Sequence, residues 1–138
     1  MDEGVVMAGE GLVTVASSRP VAETVDRLVE LAENAGLIVF ARIDHAANAV
    51  AAGLELRPME LLVFGHGRGG TPLLADGPTS GLDLPLKTLA WEDEQGGVHV
   101  TYNDASWLAE RHNLGDASAA ALAALGKGLT TLVGKATE

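Results

Sequence analysis

Residues 11–43 read GLVTVASSRPVAETVDRLVELAENAGLIVFARI, and three patterns follow one another in them. GLVTVA (11–16) is a short β-rich run. From Ser18 and Pro20 the apolar residues Val21, Val25, Leu28, Val29 and Ala32 recur at helical spacing, with Leu31 widening the stripe, which predicts a helix over 19–35. Gly36 follows as its C-terminal cap. LIVFARI (37–43) is almost wholly apolar and reads as a strand buried on both faces.

Working outward, Asp44 is placed to cap a short helix over 46–53, and ELLVF (60–64) forms a third strand. GHGRGGT (65–71) reads as a glycine-rich loop. Residues 71–85 carry Pro72, Gly77, Pro78, Gly81 and Pro85 and read as irregular chain with one helical turn around 72–76. Residues 86–92 and 98–102 form a hairpin across DEQGG. Asp104 caps a helix that ends near Gly115, and Asp116 caps the last helix, over 117–133. Residues 1–10 are read as a flexible tail and 11–138 as one domain. The element order implies an α+β fold, one sheet with the helices at 19–35 and 117–133 on one face. The expected core is Val25, Leu28, Ala32, Val39, Leu62, Phe64, Leu89, Leu122, Leu125 and Leu129.

Composition narrows the function classes. The chain has 138 residues, 47% hydrophobic and 20% charged, which excludes disorder; it has no cysteine, which excludes thiolate metal sites and thiol nucleophiles. Its net charge of −10 opposes nucleic acid and anionic membranes. No signal sequence or run of about 18 apolar residues is apparent, so the expected location is cytoplasmic, with no membrane partner.

Asp44, His45, Asn48, His66 and Arg68 are the candidate site residues. His45 and His66 each follow the end of a strand, and residues 65–71 carry a cation and no acid. Backbone N–H groups of such a loop can hold a small anion. The glycines fit the count of a dinucleotide fingerprint, but Pro72 and the chain behind it do not make its crossover helix, and Thr71 stands where a phosphate-binding loop has lysine. Rings of His45 and His66 more than about 12 Å apart could not share one small ligand, since direct hydrogen bonds span only about 3 Å. Histidine spacing suggests no metal site, and no cofactor is implied; joint ligation of haem or metal by His45 and His66 is a third option. His99 and His112 read as surface and helix-end residues.

FARIDHAANA (40–49), LRPMELLVFG (56–65), GGTPL (69–73), LDLPLK (82–87), WED (91–93) and TYND (101–104) together resemble the DUF302 family over roughly residues 11–134. The resemblance implies a TATA-binding-protein-like fold: a single curved, largely antiparallel sheet with two main helices on one face. It implies no reaction. The family's loop after the third strand reads F-G-N-P, where this chain has Phe64, Gly65, His66 and Gly67. Two readings of function stand. One is a homodimeric module binding a small ligand, anionic by the loop's charge, or a partner; the dimer would cover the sheet face that the helices leave bare. The other is a small-molecule enzyme with His45 as general base and Asp44 orienting it.

Overall fold

A computed structural model describes residues 5–7 and 9–138. Six strands form one fully antiparallel sheet: β1 (Val5–Met7), β2 (Leu12–Ser17), β3 (Ile38–Asp44), β4 (Met59–Gly65), β5 (Leu86–Glu92) and β6 (Val98–Asn103), in the order β1-β2-β6-β5-β4-β3. The long helices α1 (Val21–Asn34) and α5 (Ala119–Ala136) share one face of it. Between them come α2 (His45–Ala51), α3 (Gly67–Asp76) and α4 (Ala105–Arg111).

The stripe of α1 does what its spacing predicts: Val21, Val25, Leu28 and Ala32 are buried, and Gly36 turns the chain with a φ of 81° that a side chain disfavours. The strands alternate. Leu62 and Phe64 of β4, Ala90 of β5 and Val100 of β6 meet Leu28, Leu129 and Val133 beneath the helices. Of the expected core, Val25, Leu28, Ala32, Leu62, Phe64 and Leu129 are buried. Val39, Leu89, Leu122 and Leu125 are only half-buried. Leu89 lies opposite Thr101 and Leu61 on the other face of the sheet, because β5 sends Leu86, Thr88 and Ala90 inward. That outer face also carries Val63, Trp91 and Ile43, none of them fully buried.

Three sequence expectations are corrected. The tail at 1–10 contains a strand, since Val5–Met7 pairs with Val13–Val15 and extends the sheet past β2; residues 1–4 and 8 lie outside the described residues. Most of the glycine-rich loop and the first part of the chain behind it form a ten-residue helix, α3, with Pro72 inside it, while the stretch beyond stays irregular apart from a short 3-10 turn at Pro78–Leu82. Leu73 is fully buried, and this tertiary anchoring outweighs the poor local propensity. Strand β3 is not buried on both faces: it is the sheet edge, with Ile38 and Phe40 more than half exposed.

Candidate functional site

The antiparallel pairing of β3 with β4 divides the candidate residues into two sets. Asp44 lies opposite Glu60, whereas Ile38 lies opposite Gly65. His45 therefore leaves one end of this strand pair and His66 the other, about 20 Å away at some 3.4 Å per residue. Asp44, His45 and Asn48 share no ligand with His66 and Arg68, and the two histidines cannot ligate one metal ion. Among the described residues, no three His, Asp or Glu side chains converge to hold a metal.

At the first end, Asp44 Oδ1 accepts the Ala47 N–H at 2.8 Å and caps α2, as its sequence position implies. Its carboxylate thus serves the backbone rather than the neighbouring imidazole. His45 is half-buried and Asn48 exposed, and neither lines a cleft described below.

At the second end the chain leaves β4 at Gly65, and His66 in extended backbone caps α3, its Nδ1 accepting the Arg68 N–H at 3.1 Å. An Nδ1 that accepts carries no proton, so the ring's proton sits on Nε2 and that edge faces outward as a donor. Beside His66 opens a cleft of about 290 Å³ between α3, Phe40 of β3, the Gly81–Leu86 segment and Leu125 of α5. Its walls are Phe40, Leu74, Leu84, Pro85 and Leu125, with Thr71 and His66 as its polar side chains. A larger groove of about 940 Å³ lies between α5, β2 and the start of α4, bordered by Lys127, Lys135 and Asp104.

The structure also assembles a cluster that sequence reading missed. His112 is buried at the end of α4, its Nε2 2.5 Å from Asp83 Oδ2 and its Nδ1 2.9 Å from Thr79 Oγ1. Arg111 donates to both oxygens of Asp83, at 2.9 and 3.1 Å, and its guanidinium lies 5.3 Å from the Trp107 ring centroid. Asp76 adds a second tie, accepting from Gly115 N at 2.9 Å and Ser118 Oγ at 2.7 Å; these hold its carboxyl below the ordinary value of 3.8. Together they tie the end of α3 and the segment after it to the end of α4 and the chain leading into α5. The paired residues stand 28 to 42 positions apart, and only the adjacency of Arg111 and His112 hinted at them.

On the outer sheet face, Asp93 accepts from His99 Nε2 at 2.7 Å, and the imidazole lies on the Trp91 ring at 4.7 Å between centroids. Trp91 Nε1 donates to Thr101 Oγ1, which also bonds Thr14 Oγ1. The His99 hydrogen bond, and then the Gly97 N–H, lower the Asp93 pKa. Beneath the helices, Arg42 bridges the buried Glu60 at 2.6 Å and Asp26 at 2.7 Å. Partial burial opposes its charge, but the two carboxylates outweigh that and raise its pKa.

Comparison with known proteins sets this arrangement in context. The family model for DUF302, described as a domain of unknown function, matches residues 13–132. The chain is 50% identical over 122 residues to proteins named fluoride-specific ion channel FluC 1 of Brucella suis biovar 1 (strain 1330) and FluC 2 of Brucella melitensis biotype 1 (strain ATCC 23456 / CCUG 17765 / NCTC 10094 / 16M). The match covers 88% of this chain but 48% and 45% of those relatives, so the chain spans less than half their length. An ion channel is a membrane protein, and these names overturn the expectation of a cytoplasmic location. The expectation of no membrane-length apolar segment also needs correction: the helical stretch Asp116–Ala136 is long and apolar enough to cross a membrane by length and composition. Here it lies along the sheet with Leu129, Leu132, Val133 and Ala136 buried. A crystal structure of a DUF302 protein from Bacillus stearothermophilus superposes with a TM-score of 0.80 at 21% identity, over 94% of this chain and all of that one, and so shares the fold. By family match and by fold alike, the chain is a member of the DUF302 domain family.

Proposed function

We propose that the chain is a ligand-binding module whose site is the cleft beside His66. The observation that carries this reading is the cleft itself: an apolar concavity of about 290 Å³ with a fixed imidazole donor at its edge, the usual make-up of a small-molecule site. His45 has no comparable surroundings, so general-base chemistry gains no support from its position. Extraction of the purified protein followed by mass spectrometry tests the reading. A small molecule retained by the native chain and lost from Gly70→Leu, which sets a bulky side chain at the cleft wall, is the expected result. The reading fails if nothing co-purifies and no small amphiphile raises the melting temperature of the native chain more than that of the variant.

A separate observation favours self-association. Leu61, Val63, Leu89 and Trp91 stand on a sheet face opposite the two long helices and stay half-buried. A second copy stacked there about a two-fold axis would cover this face. Sedimentation velocity should show a dimer that Leu89→Glu converts to monomer; a native monomer at micromolar concentration would refute it.

The relatives suggest where such a module works. This chain matches less than half of each, and the membrane-length helical stretch Asp116–Ala136 packs on the sheet. We infer that the matched half is a sensor attached to the channel, whose pore belongs to the remainder. Fluoride efflux from vesicles holding the Brucella suis relative, with and without that half, tests it. Efflux that persists but changes in rate supports the sensor, and identical rates would end it.

A further inference from the structure

We infer that the cleft beside His66 takes a small molecule with an apolar body and a carboxylate head. The inference rests on the proposed reading of the cleft as a ligand site and adds the chemistry of what fills it. The walls fix the body. Phe40, Leu74, Leu84, Pro85 and Leu125 offer no hydrogen bonds from their side chains, and about 290 Å³ sits at the small end of ligand pockets, about 300–1,000 Å³.

The head is fixed by what the edge can donate. His66 commits Nδ1 to the Arg68 N–H, which leaves Nε2–H as a donor and removes the ring as an acceptor. Thr71 adds a hydroxyl within the lining. Arg68, next along the chain, supplies positive charge without lining the cleft. Residues 65–75 contain no acid, on a chain whose net charge is −10, so this mouth is a local exception that favours an anion. Of the acids nearby, Asp76 is turned to Gly115 and Ser118 at the far end of α3, and Asp83, in the segment that walls the cleft, is paired with Arg111 and His112.

The glycines of α3 point the same way. Gly67 and Gly70 line the cleft, neither has a left-handed φ, and a Cβ at either would meet nothing within 4 Å. Glycine is the poorest helix former after proline, so neither conformation nor packing calls for it there. What it provides is backbone open to the cleft, at which a bound molecule can lie close.

Calorimetric titration with octanoate tests this, with octanol and inorganic phosphate in parallel. Octanoate should bind at least about tenfold more tightly than octanol, and phosphate should not bind. Gly70→Leu, which improves helix propensity and sets a bulky side chain at the cleft wall, should abolish octanoate binding. His66→Asp keeps a capping acceptor but sets a negative charge at the mouth; it should weaken octanoate about tenfold more than it weakens octanol. Octanol binding as tightly as octanoate, with both lost in Gly70→Leu, would overturn the carboxylate head while leaving the cleft as a site. Octanoate binding that Gly70→Leu does not alter would overturn the cleft and the proposed function together. Failure of both octanoate and octanol to bind would overturn the apolar body. Phosphate binding sensitive to His66→Asp would replace the assignment with a simple anion site.

Discussion

Replacing Asp83 with alanine separates a structural tie from an incidental contact. The carboxylate has two partners of unequal weight. Arg111 is 43% exposed, so that arm resembles a surface ion pair worth at most about 1 kcal/mol. The His112 ring is only 4% exposed, so water cannot replace the lost acceptor at Nε2. An orphaned buried donor costs about 1–3 kcal/mol. The total is about 1–4 kcal/mol. For 138 residues the unfolding entropy is about 0.29 kcal/mol/K near the transition, so melting should fall by roughly 3–14 °C. Calorimetry of wild type, Asp83→Ala, His112→Ala and the double variant provides the assay, with a coupling of about 1–3 kcal/mol expected between the two sites. Arg111→Ala alone should lower melting by less than about 4 °C. A fall of less than about 3 °C in Asp83→Ala, or no coupling to His112, would refute the claim that this cluster holds the segment after α3 in place.

Three further outcomes follow from the packing and the titrating groups. Phe64→Ala removes the largest fully buried side chain and should cost about 3–5 kcal/mol in urea unfolding. Gly11→Ala forces a φ of +75° on a side-chain residue and drives a Cβ into the Trp107 ring; a loss of about 2 kcal/mol or more and an altered near-ultraviolet spectrum should result. Asp93 has a folded pKa below its ordinary 3.8, so its contribution is complete above that value and disappears as pH falls through the lower, folded one. Asp93→Asn should therefore be less stable than wild type near about pH 6 and converge with it below about pH 3; a difference that persists in acid would assign the effect to something other than ionisation.

Much of the fold is written locally. The α1 stripe, Gly36, the β5–β6 hairpin and the caps at Asp44 and Asp104 all depend on neighbours within a few residues, so spacing and capping chemistry reveal them. Motif order places the chain in its family for the same reason. The candidate site was half legible. His66 and the glycines were singled out, but as an anion-holding loop shared with His45, because a strand's end is visible in sequence and its direction against a neighbour is not.

Pairing in space decided the rest. The antiparallel register of β3 and β4 sends His45 and His66 to opposite ends of the strand pair, and no local pattern encodes that register. Helix α3 forms from a glycine-rich segment because Leu73 is buried, a gain that exists only once the domain has closed around it. The His112 cluster joins residues tens of positions apart, and the cleft is the space left where α3, β3 and α5 meet. Sequence determines which segments become helix or strand through interactions a few residues long; which side chains then share a cavity depends on long-range packing, and that information belongs to the assembled fold alone.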